Sequence, residues 1–211
     1  MPREPQIEID RFVVRLGRVD DARAAVDFHA RNRAHLASTS PLRAEVFYTA
    51  EYWRAALAIT RAGFDADRQM HCFVMDEARV VGVVNLSNFV RGAFHACYLG
   101  YSVDVELEGR GLMTQAVGRV VDFAFASLGM HRVMANYLPD NTRSAKLLER
   151  LGFEREGVAK KYLLINGEWR DHVLTARTND AWTLPAAIGS ADTHVSLPTP
   201  ADASSATSRR D

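Results

Sequence analysis

Residues 103–125 read VDVELEGRGLMTQAVGRVVDFAF. An apolar run ends in an acidic turn, and Gly109-Arg110-Gly111 then opens a stretch with apolar residues at Met113, Val117, Val120, Val121, Ala124 and Leu128. Those spacings of three and four predict an amphipathic helix, and Gly129 suits its C′ position. A helix start leaves several backbone N–H groups unpartnered, and the helix dipole is positive there. Such an end binds phosphate. Glycines at 109 and 111 let the chain turn sharply and let a ligand approach the amides. Arg110 can add a charge-assisted contact, and Thr114 a hydroxyl. A nucleotide P-loop, GxxxxGK followed by Ser or Thr, is absent, and the dinucleotide fingerprint GxGxxG fails because position 114 is threonine.

Upstream, 9–16 (IDRFVVRL) suits a strand, 20–36 a helix broken at Ser40-Pro41, and 48–62 a second helix stopping before Gly63. Three runs rich in Val, Phe and Tyr follow at 71–76, 79–89 and 94–104, joined by short turns at Glu77-Ala78 and Arg91-Gly92. Downstream, 131–138 is a strand, Pro139-Asp140-Asn141 a turn, and SAKLLERL (144–151) a short helix stopped by Gly152. Two last strands, 153–165 and 172–178, flank Asn166-Gly167. The order predicts a mixed α/β (α+β) domain over residues 1–183, with one largely antiparallel sheet of seven strands and four helices. Trp53, Phe123, Phe125 and Phe153 read as core. From 184 to 211 the chain is rich in Ala, Ser, Thr and Pro, which predicts a disordered tail.

The 211 residues carry 26 basic and 26 acidic side chains, for a formal net charge of zero. A general nucleic-acid or membrane binder shows a basic excess, so no direct DNA binding is expected. No run approaches the ~20 apolar residues of a membrane span. The start, MPREPQIEID, lacks the apolar core of a signal peptide, so a cytoplasmic location is expected. Cys72 and Cys97 read as buried free thiols, and no spacing of metal ligands is present.

Two segments together resemble the GCN5-related N-acetyltransferase (GNAT) superfamily. In that family a strand ends in a Gln/Arg-x-x-Gly-x-Gly/Ala loop whose amides hold the pyrophosphate of acetyl-CoA; here the loop is Glu106 to Gly111, with Glu at the first position. The second motif, an Asn opening a helix that ends in LGF, runs here from Asn141 to Leu151-Gly152-Phe153. By themselves Asn141 is an ordinary N-cap and Ser144 a small polar residue of a first turn. LGYSVDVELEGRGLMTQAV, the NYLPDNTRSAKLLERLGF stretch and NRAHL (32–36) are similar to the RimJ/RimL branch, which acetylates the N-terminal amine of ribosomal proteins. Residues 157–176 are most similar to its RimJ side, the ribosomal-protein-alanine N-acetyltransferases. The resemblance spans roughly residues 9–182.

The resemblance implies that strands 95–104 and 131–138 splay apart and admit the pantetheine arm of acetyl-CoA. Backbone groups at Tyr101 and Val103 would pair with that arm, and the amides of Gly109, Arg110, Gly111, Leu112, Met113 and Thr114 would hold the pyrophosphate. Asn141 would bond the arm near the thioester, and Ser144 would return a proton to the leaving thiolate. An N–H near Val103 would stabilise the oxyanion. Some relatives place a glutamate base five residues before the motif Asn, where this chain has Asn136. Glu106, Asp171, His172 and water stay open as bases. An α-amine of pKa ~7.7–8.0 is about a tenth free base at pH 7, whereas lysine at ~10.4 is almost wholly charged, which favours an N-terminal acceptor. The expected partners are acetyl-CoA and the N-terminus, Ala or Ser, of a ribosomal protein, in the assembling small subunit. Acceptor choice is expected in the loops 32–48 and 166–171. A small-molecule amine acceptor, or a ribosome-assembly factor with dispensable catalysis, are the alternatives.

Overall fold

The computed structural model describes residues 4–183. The expected tail, 184–211, lies outside them. The strands are β1 (Gln6–Ile9), β2 (Phe12–Leu16), β3 (Met70–Asp76), β4 (Arg79–Val90), β5 (Ala96–Val103), β6 (Arg132–Tyr137), β7 (Glu154–Ile165) and β8 (Glu168–Thr178). The helices are α1 (Ala22–Arg31), α2 (Arg33–Leu36), α3 (Ala50–Asp65), α4 (Leu112–Ala126) and α5 (Thr142–Arg150). One sheet in the order β1-β2-β3-β4-β5-β6-β8-β7 runs through the molecule. Every neighbouring pair is antiparallel except β5 and β6.

Three expectations are corrected. The strand at 9–16 is a two-residue hairpin, because Asp10 takes a positive φ of 50° and pairs Ile9 against Phe12; the sheet gains an eighth strand. The helix at 20–36 divides at Asn32, whose side chain turns back to donate to the Phe28 carbonyl (2.9 Å). The helix at 48–62 does not stop at Gly63. It continues to Asp65, and Gly63 serves close packing: a Cβ there would lie 2.4 Å from the Gln69 side chain.

Helix α4 buries Leu112, Met113, Ala116, Val117, Val120, Val121 and Ala124 against one face of the sheet. Each such fully buried apolar side chain contributes about 1.5–3 kcal/mol for the larger ones. Phe153 is buried in the same cluster, while Phe123 and Phe125 pack at its margin. On the opposite face α1 and α3 bury Phe28, Trp53 and Leu57 against Phe73, Met75 and Val83. Both cysteines are buried and free. Among the described residues no helix is long and apolar enough to cross a membrane.

Candidate functional site

Strands β5 and β6 share a ladder only over Ala96–Tyr98 and Arg132–Met134. Beyond it they part, and each leads into a helix: β5 into α4, β6 into α5. Two helix N-termini therefore face one crevice at the C-terminal ends of adjacent parallel strands, the place where open α/β sheets bind ligands. The wall of the crevice keeps unpaired backbone. The Asp104 amide donates to Val81 on β4 (2.8 Å), and the register holds from Val103 back to Tyr98. By the two-residue period of a strand, the amides of Tyr101 and Val103 face away from β4, into the gap.

The bend into α4 is built from a single 3-10 turn, Val105–Leu107, and two left-handed glycines, Gly109 at φ 71° and Gly111 at φ 78°. A Cβ added at either would meet nothing within 4 Å. It is thus backbone conformation that demands glycine here, since the left-handed region penalises any Cβ. The space beside both residues is open to a ligand. The first helical bond runs from the Gln115 amide to the Gly111 carbonyl (3.2 Å). The six amides before it, from Gly109 to Thr114, have no acceptor among the described residues. Six consecutive free donors at a positive helix end form an anion cradle. Glu106, at the first position of the loop motif, is turned to Arg79 (2.8 Å) and takes no part in the cradle. Arg110 is exposed beside it.

Arg31 and the NRAHL segment that follows it brace this bend from behind. Arg31 Nε donates to the buried Asp104 carboxylate (2.7 Å), and Asn32 Oδ1 accepts from the Val105 amide (3.0 Å). His35 stands 3.1 Å from Glu108, which also pairs with Arg143 of α5. Burial would raise the Asp104 carboxyl. The hydrogen bonds from Arg31 and the Glu106 amide, with the charges of Arg31 and Arg79, outweigh burial and hold it below the usual carboxylate range.

Inside the gap, Asn141 caps α5 by accepting the Ser144 amide on Oδ1 (3.1 Å). Its backbone amide donates to the Leu138 carbonyl (2.8 Å), and its side-chain Nδ2, without an acceptor among the described residues, is free to donate to a ligand. Tyr101 is half-buried, and its Oη, itself buried beside the Ser144 hydroxyl, makes no hydrogen bond of good geometry among the described residues. Burial pushes its pKa up to about 12, the neighbouring Ser144 hydroxyl pulling the other way. Sequence reading assigned Tyr101 for its backbone and missed the phenol. An unpaired buried hydroxyl facing Ser144 at the gap, next to free amides, fits a polar ligand such as the pantetheine and thioester of acetyl-CoA.

On the other face the base candidates separate. Asp171 accepts the Lys161 amide (2.8 Å) and so serves the turn of β7. His172 is buried, its Nδ1 within 3.1 Å of the Arg170 carbonyl. Asn136 donates to the Tyr162 hydroxyl (3.2 Å). The two loops expected to choose the acceptor touch: the Asn166 amide donates to the Ser40 carbonyl (3.1 Å). Trp169 beside this contact is exposed. Cys97 is buried and its thiol is pushed up to about 12 by burial, which leaves no thiolate for nucleophilic attack at neutral pH. A cavity lined by Arg11, Phe12, Arg110, Leu112 and Gln115 adjoins the bend from the β1–β2 side and receives no residue from β6 or α5.

The family profile for the acetyltransferase (GNAT) domain matches residues 11–154. The chain is 45% identical over 180 residues to the ribosomal protein uS5-alanine N-acetyltransferase of Escherichia coli, covering 84% of this chain and 93% of that one. It is 36% identical over 163 residues to the probable N-acetyltransferase YjcK of Bacillus subtilis, covering 76% and 90%. A solved ribosomal-protein-S5-alanine acetyltransferase from Vibrio fischeri superposes with a TM-score of 0.83 at 41% identity, over 85% of this chain and 99% of that one. Mycobacterium smegmatis RimJ, solved in complex with CoA-disulfide, superposes at 0.78 with 27% identity, over 88% and 91%.

Proposed function

The chain belongs to the GNAT acetyltransferase family, and we infer that it moves the acetyl group of acetyl-CoA onto the N-terminal α-amine of a ribosomal protein whose first residue is small, alanine foremost. The crevice between β5 and β6, with its run of six free amides at the start of α4, is the observation that carries this reading. The acceptor class follows the similarity to the two uS5/S5-alanine enzymes.

The amides of Gly109 to Thr114 hold the pyrophosphate, with Arg110 adding charge from the rim. The gap-facing amides of Tyr101 and Val103 pair with the pantetheine arm as a further strand would. The amine attacks the thioester carbon directly, and an N–H near Val103 receives the oxyanion. The C–S bond then breaks, and the Ser144 hydroxyl, beside the Tyr101 phenol, hands a proton to the thiolate and recovers one from solvent. The Asn141 amide group bonds the arm close to the thioester. No acyl-enzyme is needed.

The test is transfer of labelled acetyl from acetyl-CoA to a peptide with a free N-terminal alanine and one internal lysine. Mass spectrometry should place the label on the α-amine. Uptake of coenzyme by calorimetry without transfer to that peptide would overturn the acceptor; no uptake at all would overturn the site.

A further inference from the structure

Strand β7 carries a bulge opposite Asp171. Ala159 pairs with His172 and Leu163 with Arg170, so Lys160, Lys161 and Tyr162 face one residue of β8. Lys161 takes a positive φ of 49°, and the Asp171 carboxylate fixes its amide at 2.8 Å. The two extra residues throw Tyr162 across the sheet. Its ring lies 5.7 Å from that of His172 on β8, and its hydroxyl reaches past β8 to accept from Asn136 on β6 (3.2 Å). Strands lie about 4.8 Å apart, so a residue of β7 spans two strands only with such help. A bulge that re-aims one side chain is a device found beside active sites.

Tyr162 arrives where the β5–β6 ladder ends. Tyr98 is the last residue of β5 in that ladder, and Asn136 lies two residues past its partner Met134, on the same face. Burial raises the Tyr162 phenol first, and the neighbouring Tyr98 phenol raises it next. All three side chains remain half-exposed, while His172 beneath them is buried. Tyr101, Tyr137 and Ser144 occupy the opposite, helix-covered face of the gap. The Ser40–Asn166 contact closes the rim on the Tyr162 side.

We propose that Tyr162, held by Asn136, and Tyr98 beside it form the seat of the acceptor amine and relay its surplus proton to water. The inference rests on the acetyl-transfer reading above and names the acceptor-side groups. A neutral amine enters and donates an N–H hydrogen bond to the Tyr162 oxygen, which leaves its lone pair free for the thioester carbon. Its nitrogen forms the C–N bond as the thioester C–S bond breaks. The Tyr162 oxygen takes the surplus N–H proton while passing its own to solvent, so neither phenol changes charge overall. This supplies a proton exit where Asn136 occupies the site of a carboxylate base. The seat suits an α-amine, which needs no strong base, and disfavours lysine.

The experiment compares wild type, Tyr162→Phe and Tyr98→Phe on the alanine peptide, with coenzyme affinity by calorimetry and melting temperature alongside. Tyr162→Phe is expected to lower kcat ~10-fold or more at pH 7, within the range of acid–base assistance, with coenzyme affinity within about twofold. Added imidazole should restore part of the loss, which repair of a packing defect would not do. Tyr98→Phe is expected to raise the peptide KM several-fold. Full activity of both variants beside an active wild type overturns the seat alone. A wild type that takes up coenzyme and acetylates no peptide overturns the parent reading and the seat with it.

Discussion

Lowering the pH from 7.5 to 5.0 should destabilise this fold through two half-buried histidines whose Nε2 atoms are buried. His29 on α1 stacks on Trp53 (4.8 Å between centroids, 13° between planes), and His71 on β3 packs edge-on to Phe73 at 5.0 Å. Both Nε2 atoms, and Trp53 Nε1 between them, are buried without a hydrogen-bond partner among the described residues. Burial pushes the His29 pKa down to about 3, assisted by the positive charges of Arg43, His71 and Arg31, and burial pushes His71 down to about 4. The unfolded chain binds a proton at each near ~6.5. Folded values below the unfolded one mean stability is full above ~6.5 and drains as pH falls toward the folded values. At pH 5 the solution lies about 1.5 units below each histidine's unfolded value and still above both folded values, which costs about 2 kcal/mol apiece at 1.36 kcal/mol per unit, or about 4 kcal/mol together. For a domain of this size that is a fall of roughly 8–16 °C in Tm. Urea titrations at pH 7.5 and 5.0 on wild type, His71→Leu and His29→Phe measure it. His71→Leu should be no less stable at pH 7.5, because it also removes an unpaired buried nitrogen, and should lose about half the pH dependence. A wild type losing less than about 1 kcal/mol, or variants that keep the full slope, would refute the burial account.

Gly111→Val should raise the acetyl-CoA KM about tenfold and cost about 1–2 kcal/mol of stability, because the left-handed φ of 78° tolerates no branched side chain; an unchanged KM in steady-state assays counts against the cradle. Asn141→Ala should cost about 1 kcal/mol by loss of the α5 cap and weaken coenzyme binding in calorimetry. Ser144→Ala should lower kcat with the acetyl-CoA KM little moved, and equal losses in both would place Ser144 in binding instead. Arg31→Ala, which leaves Asp104 buried beside the partly exposed Arg79 alone, should cost about 3 kcal/mol and loosen the bend, read as a fall in Tm together with a rise in acetyl-CoA KM.

The bend was legible because its chemistry is local. Glycines at alternate positions before a 3.6-period apolar run state both the left-handed turns and the free amides. Asn141 and Ser144 were legible for the same reason, as cap and first turn. The hairpin at Asp10-Arg11 was hidden because Gln6–Ile9 alternates polar and apolar residues over only four positions and its turn lacks glycine. The division of the first helix at Asn32 uses a local bond to the Phe28 carbonyl together with a partner 73 residues away, the Val105 amide. No window of sequence contains both. Tyr162 was unreadable for a third reason. Its position in KKYLLI assigns it a face of β7 only once the bulge opposite Asp171 is known, and a bulge is a property of two strands together.

The segment from Arg31 to Ser40 joins the two sides of the reaction. Its first residues hold the coenzyme bend, through Arg31 to Asp104, Asn32 to the Val105 amide and His35 to Glu108. Its last residue receives the β7–β8 hairpin through the Ser40 carbonyl. On the proposed function the NRAHL run would bear on phosphate binding as support, and acceptor recognition would begin past it, where the chain meets Asn166 and the exposed Trp169. Substitutions at 31–35 should accordingly move the coenzyme KM and leave the ranking of acceptor peptides intact. Those at 40–48 and 166–169 should reorder the peptides at constant coenzyme affinity. Coupled shifts in both parameters from either group would mean that the segment transmits acceptor binding to the bend, and that the two halves of the site do not act separately.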